Sequence, residues 1–203
     1  MARPMQADGA ATRRRILRTA TALFASHGAA KASMRHIAKE SGVTQATVHH
    51  YFGSKDALYQ ACIDGMYGEL MGLVAQLGDH LRAPDSVGTA VKEAVTVGLR
   101  FAQAHKPSVR LMNRHILLAG EGASRQRTDA LFGTIGAASA ALAAASSLSA
   151  NELRLSLYGL TFMLVRLSVA DPQEVANVAP GTDRRALEEH LGELAVRMLG
   201  LEG

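Results

Sequence analysis

Apolar residues recur at helical spacing along almost the whole chain, and no stretch alternates apolar and polar residues as a half-buried strand would. That property confines the chain to helix-on-helix packing. The first apolar face is Ile16, Leu17, Ala20, Leu23 and Phe24, stopped by Gly28. Ser33 is placed to cap a second helix with Met34, Ile37 and Ala38 inward, and Gly42 to end it. Thr44 caps a short third helix that turns Val48 inward and runs toward Phe52. Ser54 caps a fourth, which carries Leu58, Cys62, Met66, Leu70, Leu73, Leu77 and Leu81 on one stripe. A loop at Ala83-Pro84-Asp85 ends that stripe.

Further helices are predicted from Val87 to His105, from Pro107 to Ala119 (closed by Gly120-Glu121-Gly122), and from Arg125 to Ser146. Another starts at a Ser149 or Asn151 cap and runs to Ala170. A polar loop through Pro180-Gly181 then leads to a last helix capped by Thr182. The pattern predicts an all-α fold of about nine helices.

Hydrophobic residues make up 48% of the 203 and charged residues 20%, enough to bury a core and too apolar for a disordered chain. The single cysteine excludes a disulfide framework and a four-thiolate zinc site. Met1 to Arg18 is polar and arginine-rich, without the apolar segment of a secretory signal. The longest uncharged run, Ala130 to Asn151, is Ala, Ser and Gly with few large apolar side chains, and reads as a packed helix rather than a bilayer span. A cytoplasmic protein that does not engage a membrane is expected. Its eight His are scattered, and none has metal-ligand spacing beside Asp, Glu or Cys; neither a metal nor a cofactor is expected.

Charge divides the chain. Residues 1–55 hold nine Lys or Arg against two acids, a net +7, while the remainder is net −3. A basic head on a mildly acidic body points to a polyanionic partner for the head. Within it, Ile37-Ala38-x-x-x-Gly42-Val43 is a helix-turn-helix signature. Small Ala38 permits close crossing, and Gly42 takes a turn conformation that a Cβ disfavours. Burial of Val43 and Val48 leaves Thr44, Gln45, Ala46, Thr47 and His49 outward at the N-terminal end of the third helix. Such an end enters the DNA major groove and reaches base edges.

Thr12 to Leu58 resembles the DNA-binding head of the TetR family of bacterial transcriptional regulators. The residues that carry the resemblance are Thr12-Arg13-Arg14-Arg15-Ile16-Leu17, Ala20-x-x-Leu23-Phe24-x-x-x-Gly28, Ser33-Met34-Arg35-x-Ile37-Ala38, Ser41-Gly42-Val43-Thr44 and Tyr51-Phe52-Gly53-Ser54-Lys55-Asp56-Ala57-Leu58. The resemblance implies a helix-turn-helix DNA-binding domain at 1–55 and a helical effector-binding and dimerisation domain at 56–203. It implies a homodimer that binds double-stranded operator DNA, usually represses, and is released by a small molecule. Two positions depart from the family pattern: His49 stands where Tyr is usual and Ala46 where Gly is common, so no relative's operator can be transferred.

Gln45 and Thr47 are the expected base readers, Gln pairing with an adenine edge. Arg35 is placed to reach a guanine or a phosphate. Thr44, Tyr51 and Lys55 match family positions that hold the DNA backbone, and Lys55 opens the fourth helix, where its ammonium and the terminal amides share one phosphate. Arg13 and Arg14 add an electrostatic clamp; Ser33, Ala46, His49 and His50 complete the expected DNA-facing set.

In the body, Met66, Phe101, Met112, His115, Ile116, Tyr158 and Phe162 are the candidate pocket for an apolar or amphipathic effector, with plain core packing the alternative for each. The stripe Leu153, Leu157, Leu160, Leu164 and the near-heptad Leu187, Leu191, Leu194, Met198 are candidate dimer seams, though either could be intramolecular core. No nucleophile elbow, phosphate-binding loop or His-Glu-x-x-His pair is present, so an enzyme is not expected. A helical interaction protein with a non-functional DNA-binding head is the other alternative, and the +7 head speaks against it.

Overall fold

The computed structural model describes the backbone of residues 5–80, 86–118 and 123–201. The expected loops at 83–85 and 120–122 lie outside the described residues. Among those described there are ten helices and no strand: α1 (Met5–Lys31), α2 (Met34–Glu40), α3 (Gln45–Phe52), α4 (Lys55–His80), α5 (Val87–Ala104), α6 (Lys106–Leu118), α7 (Ala123–Leu142), α8 (Ala150–Val169), α9 (Pro172–Val178) and α10 (Arg184–Met198). The tenth, α9, lies in the segment read as a polar loop. Asp171 caps it, accepting from the Gln173 amide at 2.8 Å, and Pro172 occupies its first turn. Seven residues without an apolar stripe gave periodicity nothing to register. The last helix is capped by Asp183, whose carboxylate accepts from the Ala186 amide at 2.8 Å, and not by Thr182. The uncharged run does not form one helix: α7 stops at Leu142, and Ser149 restarts the chain with a reciprocal capping box to Glu152. No helix of the described residues is long and apolar enough to cross a membrane.

The chain forms two compact units. The first is Met1–Glu69 with Pro107–Leu118. Ile16, Phe24, Ile37, Val48, Leu58, Ile63 and Leu111 are all fully buried in it. Phe24 meets Tyr59 edge-on at 5.3 Å. The regular turns of α1 break at Gly28, whose φ is 80°, and a Cβ there would stand 3.1 Å from the Arg114 guanidinium. Tyr59 Oη lies 3.3 Å from His115 Nδ1. These contacts tie α6 to the helices of the head. The first unit thus runs to Glu69 and takes in α6 from Pro107 onward. Cys62 sits in this unit as a buried thiol that desolvation pushes up to about 11, an inert core group.

The second unit is Leu70–Lys106 with Ala119–Gly203. Here α5 packs on α8 and α10, and α7 on α8. Its core is built around Val95, Leu99, Leu153, Leu160, Leu191, Ala195 and Leu199. Gly192 lets α10 come close to α5, since a Cβ there would lie 3.2 Å from Lys92 Cβ. One carboxylate fastens the same two helices. Glu188 is 5% exposed and accepts from Arg100 Nη2 at 2.6 Å, from Arg100 Nε at 3.1 Å and from Arg184 Nε at 3.0 Å. The Arg100 hydrogen bonds hold its carboxyl below the usual carboxylate range, against the opposing effect of burial. A lowered folded-state value contributes stability above the unfolded carboxylate range, near pH 4.3, and that contribution disappears as pH falls through the lowered value. Wild type is expected to melt above Glu188→Gln at pH 7, with the gap narrowing as pH falls below the ordinary carboxylate range; thermal melts of the pair over an acid pH series check this.

Candidate nucleic-acid interface

The site is built by local capping before any long-range contact. Ser33 Oγ accepts from the His36 amide at 3.1 Å and starts α2. Ser41 ends it, and Gly42 follows with φ 65°. The Gly42 amide donates to Lys39 O at 3.1 Å and the Val43 amide to Ala38 O at 3.0 Å, the paired closure of a Schellman turn. Thr44 then caps α3, its Oγ1 accepting from the Thr47 amide at 3.1 Å and lying 2.9 Å from Thr47 Oγ1. Val48 and Phe52 are the buried residues of α3. Its opposite side presents Thr44, Gln45, Ala46, His49 and His50 exposed, with Thr47 and Tyr51 half-buried.

The remaining expected residues occupy the neighbouring helices. Arg35 is exposed in the first turn of α2, and Ser33 is exposed at its cap. Lys55 is half-buried at the start of α4, one residue after Ser54, whose Oγ accepts from the Ala57 amide at 3.1 Å. Arg14 is exposed; the Arg13 guanidinium lies over the Phe52 ring, 5.3 Å from its centroid, so its cation sits against the end of α3. Helix α1 begins at Met5, eleven residues ahead of the apolar face that opens at Ile16, and a Cβ on Gly9 would lie 3.3 Å from Tyr51 Oη. Tyr51 is thus flanked by α1 on one side and by the His50 ring, 5.4 Å away, on the other.

One participant was missed. Gly53, given no role of its own in the sequence reading, has φ 72° and turns its carbonyl to within 2.9 Å of His49 Nδ1. The spacing of four residues was visible in the sequence; the carbonyl's direction was not.

The candidate pocket residues divide between the units. Met66, Met112 and His115 are buried and Ile116 half-buried in the first. Phe101 in the second unit stacks on His105 at 4.2 Å. Tyr158 and Phe162 are exposed at 41% and 42%, and with Phe132 form a chain of rings at 5.8 and 4.7 Å on α7 and α8. Of the candidate dimer seams, Leu153, Leu160 and Leu191 belong to the core of the second unit, with Leu157, Leu164, Leu187 and Met198 packed against it; Leu194 is half-buried. The chain itself covers most of both stripes, because α5 supplies Val91, Val95 and Leu99 to meet them.

The family profile of bacterial regulatory proteins, tetR family, matches residues 16–62. The chain carries a TetR-family N-terminal domain. That domain takes in α2, α3 and the first turns of α4, the elements that hold the exposed polar face. The HTH-type transcriptional regulator UidR of Escherichia coli K12 is 42% identical over 59 residues, which are 29% of this chain and 30% of UidR. The match therefore spans less than a third of that relative's length. Among solved structures, a tetR-family bacterial regulatory protein from Rhodococcus RHA1 superposes with a TM-score of 0.72 over 93% of this chain and 97% of its own, at 18% identity. NalD of Pseudomonas aeruginosa, the secondary repressor of the MexAB-OprM multidrug efflux pump, superposes with a TM-score of 0.63 over 97% and 99%, at 20% identity. At these identities the likeness shows a shared fold over 93–97% of the chain.

Proposed function

We propose that this TetR-family chain is a homodimeric, sequence-specific DNA-binding regulator that represses from a palindromic operator and is released by a small apolar or amphipathic effector. The observation that carries the reading is the exposed polar face of α3, capped at Thr44, set by the Gly42 turn and flanked by Arg13, Arg35 and Lys55. The presence of repressors such as NalD among chains of the same fold supports repression as the mode. Helix-turn-helix dimers set their two recognition helices one DNA turn apart, roughly 34–36 Å. The dimer is assigned to the exposed rings of Phe132, Tyr158 and Phe162 with Leu155, a large apolar patch contiguous with the stripe of α8 that the core already covers. The effector is assigned to the buried Met66, Met112 and His115 of the first unit, adaptable apolar side chains with one polar anchor.

The test is a fluorescence titration with DNA flanking the protein's own coding region, at two salt concentrations and against unrelated competitor. Competitor-resistant binding is expected, with log affinity falling against log salt by about 0.9 for each phosphate neutralised. Binding no tighter than to competitor, both here and after selection from random duplexes, would refute the reading.

A further inference from the structure

The His49 ring is committed at both nitrogens. Its Nδ1 lies 2.9 Å from Gly53 O, a carbonyl that only accepts, so Nδ1 carries the hydrogen. In the neutral ring Nε2 is then an acceptor, and Gln45 Nε2, 3.4 Å away and one helical turn earlier, donates to it. Neither ring nitrogen remains to meet a base or a phosphate. The effect on Gln45 is specific. One amide hydrogen goes to His49; the other hydrogen and the carbonyl oxygen are left as a paired donor and acceptor edge on the exposed face of α3. Adenine presents the complement in the major groove, N7 accepting and N6 donating.

We propose that His49 is a positioning residue for base recognition: through the Gly53 carbonyl it fixes its own tautomer, and through Nε2 it holds Gln45 as an adenine-reading edge. The inference rests on α3 being the DNA-reading helix.

The experiment starts from duplexes selected from a random pool by the wild-type protein. The position where Gln45→Ala relaxes base choice is identified, and anisotropy compares A·T with G·C there. Wild type is expected to prefer A·T by about tenfold, within the range of a bidentate base contact. His49→Asn places a donor where Nδ1 stood, keeping the bond to Gly53 O, and has nothing at the place of Nε2. It is expected to bring the preference to within about twofold of none, with the salt dependence unchanged because no phosphate contact is lost. His49→Gln restores an acceptor near the Nε2 position and is expected to recover most of the preference. Full preference retained by His49→Asn, or equal behaviour of the Asn and Gln variants, would overturn the proposal. A Gln45→Ala protein as selective as wild type would overturn it as well. A wild-type protein that selects no sequence would instead remove the DNA-reading role on which it stands.

Discussion

Phe162→Glu should leave the monomer folded and split the proposed dimer. Phe162 is 42% exposed and lies outside the core cluster of the second unit, its ring tilted against Tyr158 at 4.7 Å in a row that continues to Phe132, so the substitution removes little from the core. Surface changes of this kind stay within about 0.5 kcal/mol. In a two-fold dimer the same carboxylate enters the interface from both sides, loses its hydration and faces its own copy. Losing an aromatic anchor at the centre of an interface costs 2 kcal/mol or more, and two buried carboxylates add to it. Dimer affinity is expected to fall on the order of 100-fold or more, since each 1.4 kcal/mol is tenfold. Sedimentation velocity should show a monomer at micromolar protein with unchanged far-ultraviolet dichroism. Binding to a full palindrome should drop toward the affinity for a half-site, while half-site binding is preserved. A variant that stays dimeric would move the interface away from this patch.

Gly200→Ala should be the most damaging single-methyl change in the second unit. Gly200 follows the cap of α10 with φ 61°, its amide donating to Arg197 O at 3.0 Å while the Leu201 amide donates to Val196 O at 3.1 Å. A Cβ in that conformation costs about 1–2 kcal/mol by itself. Here it would also stand 2.6 Å from Ser147 Oγ and 2.9 Å from Leu148 Cγ. Ser147 Oγ can rotate away, but the backbone that carries it and Leu148 cannot simply withdraw. The Ser147 amide donates to Gly200 O at 2.9 Å and Ser146 Oγ to Leu199 O at 2.7 Å, so the turn after α7 is sewn to the end of α10. Overpacking of this kind costs a further 1–3 kcal/mol, giving about 2–5 kcal/mol in all. Urea denaturation should show the loss as a lower midpoint at unchanged slope. Gly42→Ala is the comparison: its φ is similarly positive, but nothing stands within 4 Å of the added carbon, so only the conformational cost should appear.

Much of the local structure of the candidate interface was legible because it is set by neighbours in sequence. Ser33, Thr44 and Ser54 each satisfy an amide three residues ahead, and the turn at Gly42 closes two carbonyls, Lys39 O by the Gly42 amide and Ala38 O by the Val43 amide. A cap needs no knowledge of the rest of the chain. The same kind of signal explains the small errors: Thr182 and Asp183 are both good capping residues, and only the built backbone shows which oxygen reaches the Ala186 amide. Helix α9 had its Asp171 cap and Pro172 start in plain view, but carried no apolar stripe to mark the turns between.

The helical class, the turn between α2 and α3, and the apolar face of each helix could be read directly from the residues, because they follow from interactions within four residues. The sequence did not determine what covers each face. Leu153, Leu160 and Leu191 are equally good seams for a partner or for a neighbour in the same chain. Their assignment to the core waited on α5, which reaches them across distant sequence with Val95 and Leu99. The same holds for α6, drawn into the first unit by Arg114 against Gly28 and His115 against Tyr59. Periodicity records how hydrophobic a surface is; only the tertiary structure assigns its neighbour, because burial is a property of two surfaces and the sequence of either one describes half of it.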